Sequence, residues 1–570
     1  MTLTISKSKN STSLYVTKSV YENGKRSSKV VEKLGTVAEL EKKLNGEDPM
    51  TWAKGYVEKL TQKEKGQTRE ILVKYSPAKT IEKDNKIFFN GGYLFLQKIY
   101  HELGLEKICH EIKNRYKFEF DLNSILSRLL YSRIIYPASK RATFELSGHF
   151  MEPPNFSIQH IYRGLGVIAK ETDFIQSELY KNSSRLTKRK TGVLYYDCTN
   201  YFFEIEQEEG LKQYGYSKEH RPNPIVQMGL FMDSDGIPLA FTIDEGNTNE
   251  QTTLKPLEEK ILSDFDVSKF VVCTDAGLSS AANRKFNDKG GRAFITTQSI
   301  KKLKKHLKEW ALDTEGWRLP NNGIEYDISM LDEEEHKDAA FYKERWIKED
   351  DLEQKLIVTY SVKYRDYQRS IRLRQVERAE KLIKTNPTKL KKVNANDYKR
   401  FITKKSVTKD GEVAEKELYN INTEVIEQEE AFDGFYGVCT NLEDDPSVII
   451  KINHRRWEIE ECFRIMKSEF KARPVYLKRD DRIKAHFTTC FISLILYRYL
   501  EKRLEKKFTC HQIIDGLKNM NFLKISGEGY VPTYTRTDFT DDLHDVFGFR
   551  TDLQIVTNKN IKNIFEKTKK

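Results

Sequence analysis

Polar and apolar positions alternate from Ser13 to Gly35, in SLYVTKSVYENGKRSSKVVEKLG, and the pair Asn23-Gly24 separates two such runs. Alternation marks half-buried strands, and Asn-Gly between them marks a hairpin. TVAELEKKL then predicts a short helix, followed by a charged segment and a linker near SPAKTIEKDNK. From Gly91 to about Lys181 the period lengthens. GYLFLQKIYHELGL and DLNSILSRLLYSRIIYPASK carry apolar residues three and four apart, which predicts a helical bundle punctuated by Pro137 and Pro153-Pro154.

At Gly192 the texture becomes β-rich. GVLYYDCTNYFFEI, PIVQMGLFMDSDGIPLAFTIDEGN, DVSKFVVCTDAG and GGRAFITTQS each contain short apolar runs, with a helical stretch from Asn249 to Leu262 among them. Strands alternating with helices predict a mixed α/β sheet. From about Lys301 the pattern breaks into a basic stretch, an acidic stretch, the strand KLIVTYS and the long basic helix DYQRSIRLRQVERAEKLIK. β-rich texture returns at FDGFYGVCTN, so 301–430 reads as an insertion splitting the α/β region.

Composition narrows this picture. Apolar residues make up 38% of 570 positions, enough for several cores. Lys and Arg outnumber Asp and Glu by 97 to 85, a modest excess compatible with a polyanionic partner. The seven cysteines are dispersed and form no C-x2-C zinc pattern, which reads as free thiols in a reducing compartment. MTLTISKSKN lacks the apolar run of a signal peptide, and FTTCFISLILYRYL is too short to span a bilayer, so it reads as a buried helix. The expected location is cytoplasmic.

Candidate chemistry begins with two aspartates. Asp197 follows VLYY and Asp275 follows FVVCT, each read as lying at the C-terminal end of a short strand. Open α/β sheets hold ligands near such ends. A third acid would complete an all-oxygen set suited to Mg2+. NHRRWEIEECFRIMKSEF, from Asn453 to Phe470, offers Glu458, Glu460 and Glu461. On one continuous helix, Arg456, Glu460, Phe463 and Lys467 share a face beside the apolar stripe Ile459, Cys462, Phe463 and Met466. Glu460 is therefore the acid beside the stripe, with a cation before it and another after. The same spacing suits ordinary ion pairing along a helix.

The three acids, in this order, resemble the bacterial insertion-sequence transposases of the DDE class, in the subgroup whose third motif reads Y-x2-R-x3-E-x6-K. Here Asn453, Arg456, Glu460 and Lys467 match that motif, with Asn in place of Tyr. YYDCTNYFF and VVCTDAGLSS resemble the two aspartate strands. The block from Gly215 to Leu254 resembles the family's S-K-x-x-R and G-N-x-x-[DE] features, and LGTVAEL and YPASKRA its N-terminal regions. RPVYLKRDDRIKAHFTTCFISLIL resembles the helix after the third motif.

The resemblance implies an α/β ribonuclease-H-like catalytic core interrupted by a β-rich or mixed insertion, with N-terminal β-hairpin and helical DNA-binding regions. The corresponding expectation is a hairpin/helix region at 1–85, a helical domain at 86–190, a catalytic domain at 191–300 plus 431–500, an insertion at 301–430, and a C-terminal region at 501–570 as the candidate dimerisation element. It further implies that Asp197, Asp275 and Glu460 are catalytic and bind two Mg2+, with Mn2+ as substitute, and that Asn453, Arg456 and Lys467 contact DNA phosphates. Water would cut the element end, and the freed 3′-OH would attack target DNA, with a hairpin on the element end as an expected intermediate. Trp310, Trp317 and Trp346 are the candidates to stack a flipped base. Partners would be the terminal inverted repeats and target DNA, bound by a homodimer at the nucleoid, with no membrane contact. The basic runs LTKRK, IKKLKKHLKEW and KRFITKKS are candidate phosphate contacts, and His220 reads as a surface-loop residue. Three rivals remain open: a metal nuclease without strand transfer, a catalytically silent, transposase-derived DNA-binding protein, and a non-DNA helical scaffold whose acids are structural.

Overall fold

The computed structural model describes residues 1–8, 11–22, 25–44, 47–68, 71–73, 76–320, 322–385, 397–407 and 416–570. The expected Asn23-Gly24 turn lies outside them. The chain divides into two units, Met1–Asn85 and Lys86–Lys570.

In the first unit β1 (Thr2–Lys7), β2 (Thr12–Glu22) and β3 (Lys25–Thr36) form an antiparallel sheet. Helix α1 (Val37–Lys43) starts at a reciprocal cap: Thr36 Oγ1 accepts from the Glu39 N–H at 3.3 Å, and Glu39 Oε2 accepts from the Thr36 N–H at 2.9 Å. The charged segment beyond it is a helix, α2 (Pro49–Thr68), and Leu14, Leu40 and Ala53 form the small core.

The second unit opens with β4 (Phe88–Asn90) and a bundle of α3 (Tyr93–Glu102), α4 (Leu105–Arg115), α5 (Leu122–Ile135), α6 (Lys140–Ser147), α7 (Ile158–Lys170) and α8 (Thr172–Leu186). The sheet region follows with β5 (Val193–Phe202), β6 (Ile225–Asp233), β7 (Pro238–Glu245), α9 (Glu250–Asp264), β8 (Val271–Thr274), α10 (Ala281–Phe286) and β9 (Ala293–Gln298). Next come α11 (Lys305–Leu312), β10 (Trp317–Arg318), β11 (Glu325–Tyr326), β12 (Phe341–Glu349), β13 (Leu352–Tyr360), α12 (Val362–Thr385), β14 (Ile402–Val407), β15 (Lys416–Ile421), α13 (Thr423–Glu430) and β16 (Phe435–Thr440). The chain closes with α14 (Pro446–His454), α15 (Trp457–Arg464), α16 (Asp480–Arg503), α17 (Cys510–Asn519), β17 (Asn521–Ile525), β18 (Gly529–Pro532), α18 (Asp538–Phe547), β19 (Val556–Thr557) and α19 (Asn558–Thr568).

One mixed sheet organises this unit, in the order β11-β10-β12-β13-β16-β9-β8-β5-β6-β7. β5, β6 and β7 run antiparallel as a meander, while β8 and β9 lie parallel to β5. β16 joins β9 antiparallel, and β13 and β12 continue outward. Strands from 301–430 thus extend the sheet that carries Asp197 and Asp275, and pack their own core around Trp317, Phe341 and Leu356. The residues after Arg503 return to the bundle, where β17 pairs with β4.

Alternation along β5 sorts side chains to two faces. Leu194, Tyr196 and Cys198 pack with Leu254, Leu257 and Ile261 of α9. Tyr195 and Tyr201 face the other way, into the core shared with α15 and α16, where the Tyr201 and Phe487 rings lie 4.8 Å apart. β6 is buried along its whole length, which explains its unbroken apolar run. α16 carries FTTCFISLILYRYL, buried throughout, and serves as the wall between sheet and bundle. No described helix is long and apolar enough to cross a membrane, and all seven cysteines are free and buried.

Candidate active site

Asp197 is on the odd-numbered face of β5, the side covered by α15 and α16. It lies inside the strand rather than at its end, because the apolar run continues through Tyr201 and Phe202. Asp275 follows the last residue of β8. Tyr195 pairs with Cys273 across the parallel strands, so both aspartates stand two residues past one matched pair. Burial pushes the Asp197 carboxyl up to about 6, against the lowering effects of Lys218, the Cys198 N–H and Arg456, and Asp275 adds to the rise. Oδ1 of Asp197 accepts from the Cys198 N–H at 2.8 Å, and no cation lies within ion-pair distance of it among the described residues.

The third motif is not one continuous helix. α14 ends at His454, Arg456 caps α15, and a π-helical turn runs from Ile465 to Glu469. Tertiary contacts fix this break. Tyr195 Oη donates to the Ile452 carbonyl at 3.0 Å, and Arg498 of α16 donates to the Glu458 carbonyl at 3.3 Å. The apolar stripe of Ile459, Cys462, Phe463 and Met466 is buried as the periodicity predicts. Among the acids, Glu458 is the buried one, held by Arg455 at 3.0 Å and Lys506 at 3.5 Å. Glu461 pairs with Arg464 at 2.7 Å. Glu460 is exposed and has no hydrogen-bond or ion-pair partner among the described residues.

Arg456 links the acids. Its Nη1 lies 2.9 Å from Asp275 Oδ1, and it lines a groove of about 650 Å³ together with Glu460, Asn453, Trp457 and Tyr436. Arg456 Nε is buried without a hydrogen-bond partner, an unused donor beside the carboxylates. Asn453 is buried, and its amide donates to Tyr436 Oη at 3.0 Å. Lys467 donates to Thr199 Oγ1 at 2.6 Å, on the strand bearing Asp197, and burial together with the Lys218 charge pushes it down to about 8.

Two further residues belong here. Lys218 Nζ donates to the Cys198 carbonyl at 2.5 Å and pairs with Glu250 at 3.0 Å. This joins the S-K-x-x-R block to the G-N-x-x-[DE] block. The spacing of those blocks contained the residues but not their meeting. Trp457, 55% exposed in the groove with Glu460, is the other. Trp317 is fully buried in the neighbouring core, Trp310 packs against that core, and Trp346 lines a different depression beside Lys355. His220 is exposed, as expected. In LTKRK, Arg189 is committed to a buried ion pair with Asp233.

Three carboxylates form an oxygen donor set that suits a hard divalent ion. Burial keeps the Asp197 carboxyl raised despite the Lys218 and Arg456 charges near it, and a bound cation would favour its charged form. The oxygens of Asp197, Asp275 and Glu460 nevertheless do not converge within 4.8 Å. Asp541, His544 and Asp552 do so among the described residues, but Arg536 and Arg550 already neutralise that cluster at 2.6 and 2.7 Å.

Residues 351–496 match the family model described as Transposase DDE domain. The matched span contains Asn453, Arg456, Glu460 and Lys467, and it supports a DDE transposase. Among solved structures the chain is similar to piggyBac transposase, in a structure described as its synaptic complex with hairpin DNA. That likeness has 8% identity, covers 83% of this chain and 85% of the other, and has a TM-score of 0.36, too low to carry an argument. Comparison with curated protein sequences finds no match.

Proposed function

We infer that the protein is an insertion-sequence transposase with a ribonuclease-H-like core, which binds terminal inverted repeats, cuts the element ends and joins the 3′-OH to target DNA. The observation that carries this reading is the level placement of Asp197 and Asp275 on adjacent parallel strands, with Arg456 bridging to the groove of Glu460. The strand order β7-β6-β5-β8-β9, a meander followed by two parallel strands, supports the core assignment.

In this reading Asp197, Asp275 and Glu460 hold two divalent ions, Mg2+ or Mn2+, which supply activation of the attacking oxygen and stabilisation of the leaving one. Arg456, on the wall of the groove, contacts a phosphate oxygen near the cut. Lys467 and Lys218 flank β5 and place positive charge along the scissile strand. Asn453 acts through Tyr436, whose hydroxyl it fixes at the groove. Trp457 presents an exposed ring where an unstacked base would lie.

A second reading, a silent DNA-binding protein, draws on the spread of the three carboxylates. Strand cleavage of linear DNA carrying the element end, with and without Mg2+, decides between them. Wild type is expected to nick in a metal-dependent way. Glu460→Gln is expected to abolish nicking, and Glu461→Gln to preserve it. Joined products with target DNA separate a transposase from a nuclease. End binding without any cleavage would establish the silent reading instead.

A further inference from the structure

Away from the carboxylates, a cavity of about 340 Å³ opens between two distant stretches of chain. Arg133 and the run Pro137 to Arg141 form one wall, and Lys471 to Leu477 the other. His486 and Tyr162 complete it, and no carboxylate lines it. Lys140 is 5% exposed and has neither a hydrogen bond nor an ion pair among the described residues. Arg133, equally buried, donates from Nη1 to the Phe470 carbonyl at 3.0 Å and from Nη2 to the Ala138 carbonyl at 3.5 Å, and its Nε has no partner among the described residues. His486 Nε2 lies 3.1 Å from the Ala472 carbonyl, which it serves as a donor. Buried charge is kept where something pairs with it, yet here Lys140 and Arg133 face a void and have no carboxylate partner among the described residues.

We propose that this cavity binds a backbone phosphate of a DNA strand, with Lys140 and Arg133 as its inner contacts and Arg141 and Lys471 at its mouth. The anionic nature of the ligand stands on these side chains alone. That the phosphate belongs to DNA rests on the transposase reading. Burial and the neighbouring Arg133 push the Lys140 ammonium down to about 7, and a bound oxyanion would restore its charge. The N-terminus of α6, capped by Ser139 at 3.2 Å from the Ala142 N–H, adds its positive end to the same side. Position fits a strand leaving the active site. Val475 bridges Phe203 just beyond β5, and Arg473 pairs with Glu219, which lies 3.8 Å from Lys467. The six steps of chain from Asp197 to Phe203 span roughly 20 Å, a length of several nucleotides.

The test uses the full chain in two arms, with Lys140→Met as the neutral variant of similar length. Exposed Lys562→Met controls for loss of one positive charge, and omission of divalent metal prevents cleavage during the measurement. In the first arm, affinity for an element-end duplex is measured without metal across a salt series. Lys140→Met is expected to bind about tenfold more weakly and to lower the salt slope by about 1, with Lys562→Met near wild type. In the second arm, melting temperature is followed with inorganic phosphate against chloride at equal ionic strength. Phosphate is expected to stabilise wild type and not Lys140→Met. Loss of the phosphate effect with an unchanged DNA slope would mean a site for free phosphate, and would overturn the DNA assignment. No change in either arm, in a variant that melts at or above wild type, would make Lys140 a packing residue and overturn the site altogether. Failure of wild type to bind the duplex would remove the transposase reading, while the phosphate arm still judges the cavity.

Discussion

At the scale of single residues, burial decides what each acid does. Glu258 of α9 is fully buried, and burial pushes its carboxyl up to about 7 from the ordinary 4.5. In the folded chain it keeps its proton to higher pH than when unfolded. Its effect is therefore absent below pH 4.5, destabilises as pH rises through that window, and is complete above pH 7. Glu258→Gln keeps the acceptor for Asn287, which donates to it at 3.0 Å, but leaves Arg292 without its partner at 3.5 Å. We expect the variant to be more stable by about 1–2 kcal/mol at pH 8, below the ~3 kcal/mol that the shift alone would give. Urea unfolding at pH 8 and pH 4.5 checks this: the gain should vanish at the lower pH, and equal gains at both would show that the charge is not its source. The sequence pattern places Glu460 beside the buried stripe, whereas in the structure Glu458 is the buried acid and Glu460 is exposed. A rule of 100° per residue assumes an unbroken helix, whereas Arg456 begins a new one and the π-helical turn shifts Lys467.

At the scale of elements, the local patterns were legible and their partners were not. The alternation before Gly35 and the apolar runs before Asp197 and Asp275 correspond to strands in the structure. From its sequence α2 reads only as a charged segment, because its polar helix formers hide the spaced apolar positions Ala53 and Val57. The pairing of β16 with β9, and of β13 with β16, leaves no local period, so nothing in the sequence tells which strand follows which. The β6–β7 hairpin carries its own staple. Arg189 pairs with Asp233 and donates to the Ile237 and Pro238 carbonyls at 3.0 and 3.1 Å, while Asp233 Oδ1 accepts from the N–H groups of Asp235 and Ile237, each at 3.0 Å. Arg189→Met leaves Asp233 buried and unpaired. It is expected to cost about 3–5 kcal/mol in denaturant unfolding, and a loss under about 1 kcal/mol would show that the backbone bonds alone hold the turn.

At the scale of the whole molecule, residues far apart in sequence close the second unit. α19 packs on α3, where Gln97 donates to Thr568 Oγ1 at 3.2 Å and Lys569 pairs with Glu152 at 2.5 Å. Deleting residues 558–570 removes these bonds and uncovers Ile561 and Ile564. We expect the truncated protein to melt several degrees lower, by scanning calorimetry, with a loss of about 2–4 kcal/mol from the exposed apolar surface. An unchanged melting temperature would show that α19 is dispensable to the bundle. The larger closure is α16, which packs against β7 of the sheet on one side and α3, α5 and α7 on the other.

From Ala485 through Leu500, α16 has no exposed position. A surface helix has a silent side on which substitutions accumulate without harm. This one offers evolution no such side, so divergence among related chains should thin out here even though no residue between 485 and 500 is among the proposed catalytic groups. Variation tracks architecture at this helix rather than chemistry, and a map of tolerated substitutions would mark the spine of the molecule before it marked the centre.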